Sequence, residues 1–172
     1  MAHRRLAIID FAPAGHQPMH DASGKLSIIF HGEIYNFQEL RSRLKSKVHK
    51  FCSHSDTEVI LAACHEWGTA CLSHLNGMFA FALYDARQQT VFLARDRAGE
   101  KPLFYYQANG QLRFTSELKA LLADPALPRR MNPEVLNCYL AIGYTKRSLH
   151  FAGLSETTTR ICFVVSSANR SI

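Results

Sequence analysis

The fold of this chain is decided by one stretch of sequence, Leu26-Ser27-Ile28-Ile29-Phe30-His31-Gly32-Glu33-Ile34-Tyr35-Asn36. It begins as an apolar run typical of a β-strand and leads directly into a glycine and an acid. A glycine there predicts a turn that leaves backbone N–H groups available, and the acid places a carboxylate at the strand end. We therefore expect a ligand site where this strand ends.

A second acid, Asp56, opens the next clear pattern, Ser55-Asp56-Thr57-Glu58-Val59-Ile60. Apolar residues recur there at helical spacing as far as Trp67, and Gly68 follows, which predicts a helix over 56–67 with Ser55 or Asp56 as its cap. Two carboxylates, Glu33 and Asp56, at a strand end and a helix start could hold a small cationic group such as an α-amine.

The remaining patterns predict a layered α+β domain. Two hairpins are expected, one over 78–85 and 90–96 and one over 103–106 and 111–115 around Asn109-Gly110. The further expected elements are a strand over 4–10, a helix over 37–47 capped by Asn36, a helix over 116–122 capped by Ser116, and a helix from Asn132 through Leu140. Parts of the hairpins are apolar on both faces, so the sheets should be covered on more than one side.

Composition and charge favour a soluble globular domain. The chain has 172 residues, 47% of them hydrophobic and 20% charged. No apolar run reaches the roughly 18 residues that span a bilayer, and the start of the chain is too short in apolar residues for a signal peptide. We therefore expect a cytoplasmic location. The net charge of +6 is densest over 41–50, where no aromatic residues are interleaved, so a solvated helix is favoured over nucleic-acid binding.

Cysteine and histidine spacing gives little support for a metal site. The five cysteines are odd in number and no pair is spaced C-x-x-C, which favours free thiols in a reducing compartment. His16 and His20 are four apart, but Pro18 between them argues against a helical metal pair. Arg95-Asp96-Arg97 with Gly99 is compatible with a phosphate-binding loop, although a structural ion-pair turn is favoured. We predict no metal site.

Several ordered motifs together resemble the glutamine amidotransferase domain of glutamine-hydrolysing asparagine synthases. They are Ala2–Asp10, Ala14–Met19, Gly32–Asn36, Ser55–Ile60, Asn76–Leu83, Ala94–Arg97 with Gly99 and Lys101–Leu103, and Ser116–Leu121. The resemblance implies a class II amidotransferase domain over 1–156, with the αββα sandwich of N-terminal-nucleophile hydrolases. It leaves 157–172 as a tail without family resemblance. We interpret this tail as the translation of a shifted reading frame, and we expect it to have no place in the fold.

The resemblance also implies a glutamine-binding site. Arg5 matches the arginine that pairs with the substrate α-carboxylate, and the backbone of Leu6, Ala7, Ile8 and Ile9 lines the same pocket. Glu33 and Asp56 match the acids around the α-amine, and Gly32 matches the glycine whose N–H stabilises the oxyanion. For each there is a plainer alternative, in which Arg5 is a surface cation, Asp56 a helix cap and Gly32 a turn residue.

Departures from the family pattern predict that the sequence as written is inactive. The family nucleophile is a cysteine at the mature N-terminus, whereas this chain begins Met1-Ala2, so no catalytic nucleophile is expected and the fold should lack the first strand and helix. His31 stands where the family usually has asparagine, so His31 and Gly32 are the candidates for the oxyanion hole.

The partners implied are L-glutamine and a synthetase domain or subunit. No S-G-G-x-D-S motif occurs, so no cofactor is expected in this chain, and ATP and magnesium are expected only in the missing synthetase domain. The function predicted is ammonia supply for asparagine biosynthesis. The alternatives are a catalytically dead glutamine-binding module and a protein-interaction module that self-associates through an exposed sheet edge, without nucleic acid or membrane as partner.

Overall fold

The computed structural model describes residue 1 and residues 15–143, 154–156 and 160–164. The elements in chain order are β1 (Met19–His20), β2 (Leu26–Ile34), α1 (Phe37–Ser46), α2 (Asp56–Trp67), a 3-10 helix (Gly68–Ser73), β3 (Gly77–Asp85), β4 (Thr90–Arg95), β5 (Phe104–Ala108), β6 (Gln111–Thr115), α3 (Leu118–Leu122), α4 (Pro133–Ile142), β7 (Leu154–Glu156) and β8 (Arg160–Val164). The predicted strand over 4–10 lies outside the described residues.

Two antiparallel sheets make the two inner layers. The first has the strand order β1-β2-β3-β4-β8 and the second the order β6-β5-β7. Both predicted hairpins are confirmed, β3 with β4 and β5 with β6. A core between the sheets contains Ala80, Ala82, Val91, Leu93 and Leu103, against which side chains of β5 and β6 pack.

Helices cover the outer face of each sheet. α1 and α2 pack on the first sheet over a core that includes Phe30, Leu40, Ile60 and Phe81. α3 packs beside the second sheet, where Leu121, Leu127 and Leu154 form a smaller cluster. The order of layers is helix, sheet, sheet, helix, so the prediction of an αββα sandwich is confirmed.

The helix starts differ in their caps. The Ser55 Oγ accepts the N–H of Thr57 at 3.1 Å, so Ser55 is the cap of α2. Asn36 precedes α1 but does not cap it with its side chain. Its amide instead donates to the carbonyl of His74 at 2.9 Å and accepts the N–H of Asn76 at 3.0 Å, which ties the strand end to the approach of β3.

The later helices also differ from expectation at their starts. The predicted Ser116 cap is wrong, because α3 begins at Leu118 after Glu117 and has no side-chain cap. α4 starts as predicted, with the Asn132 side chain accepting the N–H of Glu134 at 3.1 Å and a proline in the first turn.

The segment after Glu156 contributes a strand to the fold. β8 pairs antiparallel with β4, with Leu93 opposite Ile161. The expectation that this tail has no place in the fold is therefore wrong for Arg160–Val164, because β4 would otherwise present an unpaired edge on that side. The boundary between domain and tail at 156 stays a prediction. None of the helices in the described part of the chain is long and apolar enough to cross a membrane.

Candidate functional site

A cleft of about 910 Å³ opens between the two sheets. One wall comes from β2 and β3, the opposite wall from β6 and the start of α3, and the segment before β5 completes it with Lys101, Pro102 and Leu103. His31, Gly32 and Glu33 all belong to the first wall. The structure therefore places His31, Gly32 and Glu33, the middle of the stretch 26–36, in this cleft.

The two faces of β2 have different neighbours. Ile28, Phe30 and Ile34 are completely buried beneath the helices. Because side chains alternate along a strand, His31 and Glu33 fall on the opposite face, where His31 is exposed and Glu33 is half-buried. Within the described part of the chain, the Glu33 carboxylate makes no hydrogen bond or ion pair. A carboxylate without a partner in a cleft is suited to a cationic ligand group.

Gly32 is a strand residue and not the turn that the sequence predicted. β2 continues through it to Ile34, and Gly32 lies opposite Phe79 of β3. Its φ is +142°, and a Cβ at this position would overlap the carbonyl oxygen of Met78. The glycine is therefore required because β2 and β3 approach closely here, at the point where the strand borders the cleft.

Asp56 lies on the helix side of β2 and does not line the cleft. It is completely buried, and its Oδ2 accepts the backbone N–H of Ile34 at 3.2 Å. The carboxylate thus ties the first residue of α2 to the last residue of β2. The structure brings Glu33 and Asp56 to the same strand end but on different sides of it, and their roles as ligands of an α-amine stay predictions.

A further polar link supports β2 from the helix side and was missed by the sequence analysis. The Gln17 Oε1 accepts the N–H of Phe30 at 2.6 Å, and its Nε2 donates to the Thr57 hydroxyl at 3.2 Å. Only their positions inside the quoted motifs could have pointed to Gln17 and Thr57. Arg5, Leu6, Ala7, Ile8 and Ile9, which were assigned to the glutamine site, lie outside the described residues.

Asp96 organises the loop that leads to Lys101, which lines the cleft. Its carboxylate accepts the N–H groups of Glu100 at 3.0 Å, Phe79 at 3.1 Å and Lys101 at 3.2 Å. Burial alone raises the pKa of Asp96, but the backbone donors outweigh it and hold that pKa below its ordinary value. The expected ion-pair turn is therefore a loop held by backbone hydrogen bonds to one carboxylate.

Of the cysteines whose side chains the structure describes, Cys52, Cys64, Cys71 and Cys138, none lines the cleft. Cys64 and Cys71 are buried in the core beneath the helices with their sulfurs 3.3 Å apart. The hydrogen bond with Cys71 and burial raise the pKa of the Cys64 thiol, which keeps it protonated. Among the described residues, no three His, Cys, Asp or Glu side chains are grouped to hold a metal ion.

Comparison with known protein families identifies the family of this chain. A model of the family described as the glutamine amidotransferase domain matches residues 1–168. The chain belongs to this glutamine amidotransferase domain family. The match extends beyond residue 156, into the segment that the sequence analysis set apart as a tail.

Curated relatives of this amidotransferase domain are much longer than the chain. It is 41% identical over 143 residues to the asparagine synthetase (glutamine-hydrolyzing) 3 of Bacillus subtilis, covering 82% of this chain and 23% of that protein. It is 38% identical over 123 residues to the amidase chry2 of Gibberella zeae, covering 72% of this chain and 18% of that protein. The chain thus spans about a fifth of the length of these two relatives.

Solved structures show the same fold. The glutamine phosphoribosylpyrophosphate amidotransferase of B. subtilis superimposes with a TM-score of 0.59 at 19% identity, covering 96% of this chain and 34% of that one. The allosteric regulatory enzyme of purine biosynthesis gives a TM-score of 0.54 at 18% identity, covering 89% of this chain and 32% of that one. These superpositions agree with the N-terminal-nucleophile hydrolase fold of the αββα sandwich.

Proposed function

We propose that this amidotransferase domain binds L-glutamine in the cleft between the sheets, with the ligand ammonium at Glu33. The observation that carries the proposal is the position of Gly32 and Glu33 in the cleft wall of a chain that belongs to the amidotransferase family. The Glu33 carboxylate has no partner within the described residues, so an ammonium group would compensate its charge.

Binding at this point also brings the ligand amide to the residues expected to stabilise an oxyanion. Gly32 allows the backbone of β2 to border the cleft without a side chain between strand and ligand. Its N–H and the His31 imidazole are the proposed donors to the amide carbonyl. In this scheme Asp56 is a positioning residue, because its hydrogen bond to Ile34 fixes the strand end that carries Glu33.

We propose that the chain as given binds glutamine without hydrolysing it. Hydrolysis in this family of folds needs a nucleophile beside the ligand amide, and the four cysteines whose side chains are described do not line the cleft. The buried Cys64 and Cys71 face the opposite core. Asparagine synthesis would need, in addition, an ATP-using domain or subunit, as the greater length of the relatives suggests.

Calorimetric titration with L-glutamine tests the proposal. The chain should bind L-glutamine, and Glu33→Gln should weaken binding about tenfold because the partner of the ammonium loses its charge. Glu39→Gln is the matched control, since Glu39 is an exposed acid in the first turn of α1, away from the cleft. Undiminished binding by Glu33→Gln, or no binding by the intact chain, would refute the proposal.

Glutamate release measured on the same samples tests the second part. We expect no release above that of a buffer blank. Release that is lost in Glu33→Gln, but kept by the Glu39→Gln control, would show that the cleft contains a working nucleophile and would overturn the assignment as a binding domain without hydrolysis.

Protein interaction is the second candidate, favoured by α4. Tyr139, Leu140 and Ile142 are 47%, 73% and 56% exposed, and Val135 is the buried residue of this helix. Exposed apolar residues on one helix mark interaction surfaces. Sedimentation should show association that Leu140→Glu abolishes, whereas monomers of both proteins at all concentrations would exclude self-association through α4.

A further inference from the structure

We infer that Gln17 is a positioning residue of the cleft, and that its amide holds the backbone of β2 so that the Gly32 N–H stays open to the ligand. The inference rests on the proposed binding of glutamine and adds a residue that the proposed scheme does not use. Three observations carry it: the edge of β2 to which the Gly32 N–H points, the partners of the neighbouring N–H groups, and the link from Gln17 to α2.

The Gly32 N–H points to the edge of β2 that faces away from β3. Gly32 lies opposite Phe79 in the β2–β3 register. The Phe79 N–H donates to the carboxylate of Asp96, the residue that follows β4, and the Phe79 carbonyl accepts the Asp96 N–H. Gly32 and Phe79 are therefore a pair without mutual hydrogen bonds, as every second pair of an antiparallel ladder is. Among the described residues, nothing accepts the Gly32 N–H.

The same edge presents the N–H groups of Phe30 and Ile34, two residues to either side of Gly32. The Phe30 N–H donates to the Gln17 Oε1 at 2.6 Å. The Ile34 N–H donates to the Asp56 Oδ2 at 3.2 Å. Side-chain acceptors thus take the N–H groups on both sides and leave the one between them for a ligand in the cleft, which Gly32 lines.

Gln17 reaches Phe30 because its side chain continues the ladder that β1 begins. β1 pairs with β2 at Ser27 and Ile28, and Met19 lies opposite Ile28. Continued by two residues, this register sets position 17 opposite Phe30. The amide oxygen of Gln17 there takes the place of a strand carbonyl, so one side chain fixes this edge of β2 as a paired strand would.

The other polar group of the Gln17 amide is anchored to α2. Its Nε2 donates to the Thr57 hydroxyl at 3.2 Å, and Thr57 is completely buried at the second residue of the helix. The Thr57 N–H is itself held by the Ser55 cap at 3.1 Å. Because both ends of the amide are engaged, its orientation is fixed and this part of β2 is organised before a ligand binds.

An N–H with a fixed direction suits the side-chain carbonyl of glutamine. In the proposed scheme the ammonium of the ligand lies at Glu33, and its amide carbonyl accepts the N–H of the preceding residue, Gly32. Loss of the Gln17 amide removes the acceptor that fixes Phe30, so the direction of the Gly32 N–H is no longer set. A ligand with the side-chain carbonyl should therefore lose more affinity than a ligand without it.

Calorimetric titration compares L-glutamine with L-norvaline, which carries a methyl group in place of the amide. Gln17→Met removes both polar groups at nearly the same side-chain length. It should weaken L-glutamine binding about fivefold and L-norvaline binding less than about twofold, because only the first ligand loses a hydrogen bond. Gln17→Glu keeps an acceptor for the Phe30 N–H and should retain most of the L-glutamine affinity.

Nuclear magnetic resonance measures the Gly32 N–H directly. The sequence contains a single His-Gly pair, His31-Gly32, so a carbon-13 label on the histidine carbonyls and a nitrogen-15 label on the glycines select this amide. Saturating L-glutamine should move its proton signal downfield in the unchanged protein and much less in Gln17→Met. If L-norvaline binds too weakly to titrate, this signal decides between the outcomes.

The matched control is Asp21→Ala. The Asp21 Oδ1 accepts the Leu26 N–H at 2.9 Å on the same edge of β2, at the end of the strand that does not line the cleft. This variant should bind both ligands like the unchanged protein, with thermal melting recorded for every variant. Thr57→Val removes the second contact of the Gln17 amide and replaces Gln17→Met, with the same expected difference between ligands, if the latter does not fold.

The outcomes separate this inference from the proposed function. Equal weakening of both ligands by Gln17→Met, unchanged L-glutamine binding, an unchanged shift of the Gly32 signal, or equal weakening by Asp21→Ala overturns the role of Gln17 while glutamine binding stands. Failure of the unchanged protein to bind L-glutamine overturns the proposed function, and this inference falls with it.

Discussion

The two faces of β2 differ in their surroundings, since one is buried beneath the helices and the other borders the cleft. On the helix face, Phe30 and Ile34 are completely buried, and their N–H groups are held by the side chains of Gln17 and Asp56. On the cleft face, His31 and Glu33 remain accessible between two sheets. Because side chains alternate along the strand, the residues that stabilise the core and those expected to bind a ligand lie on opposite faces of β2. Substitutions at neighbouring positions should therefore change either the free energy of unfolding or the affinity for the ligand.

The largest expected difference is between Phe30 and His31. Phe30→Ala should lower the free energy of unfolding by about 3–5 kcal/mol, because it leaves a cavity in the core beneath the helices. His31→Ala should change it by less than about 0.5 kcal/mol, since the side chain is exposed. Urea unfolding followed by circular dichroism measures both. Similar losses for the two variants would contradict the two-faced account of β2.

Gly32 lies between His31 and Glu33, where β2 and β3 approach closely, and its substitution tests how much that approach contributes to stability. Gly32→Ala should cost about 3 kcal/mol or more, because the added Cβ meets the Met78 carbonyl and the φ of +142° is unfavourable. Gly24→Ala is the matched control, since Gly24 has a φ of +67° but open space around it, and it should cost about 1 kcal/mol. Equal urea midpoints for the two variants would mean that the close approach of β2 and β3 does not limit stability.

Asp56 tests the helix side of the strand end. Asp56→Ala should lower the free energy of unfolding by about 1–3 kcal/mol, because the Ile34 N–H loses its acceptor in a buried setting. Calorimetry with L-glutamine should show weaker binding as well, since the strand that carries Glu33 is no longer fixed. Glu33→Gln should weaken binding with an unfolding free energy within about 0.5 kcal/mol of the unchanged protein. If Asp56→Ala weakened binding at unchanged stability, Asp56 would be a direct ligand.

The contribution of Asp96 to the free energy of unfolding should depend on pH, in the direction that its lowered pKa sets. The folded protein holds this pKa below the unfolded value of about 3.9, so Asp96 stabilises the fold above that pH and loses the contribution as pH falls through the folded pKa. Asp96→Asn should therefore be less stable than the unchanged protein near neutral pH, and the difference should shrink as the pH falls below the unfolded value of about 3.9. Urea unfolding at a series of pH values measures it. A difference that is constant with pH would mean that the charge of Asp96 is not what holds the loop.

Local patterns predicted most of the elements. The alternation around Asn109-Gly110 gave the second hairpin, and Ser55 with the periodicity through Trp67 gave α2 with its cap. The course of β2 through Gly32 was not predictable, because a glycine usually interrupts a strand and its need here arises from β3, which lies far along the chain. The same holds for β8, whose place depends on pairing with β4.

The candidate site was predictable only in part, for the same reason. Glu33 lies next to the last residue of β2, directly after the apolar run and Gly32, so its place near the strand end could be predicted from local sequence. The side of β2 on which Asp56 lies depends on how α2 packs, and the contacts of Gln17 with Phe30 and Thr57 join residues that are far apart in the sequence. Such long-range contacts leave no local pattern.

The most direct test of the account is a crystal structure of the chain grown with saturating L-glutamine. We expect the amino acid between the two sheets, with its ammonium about 3 Å from the Glu33 carboxylate. Glutamine bound outside this cleft, or an empty cleft at saturating ligand, would contradict the account.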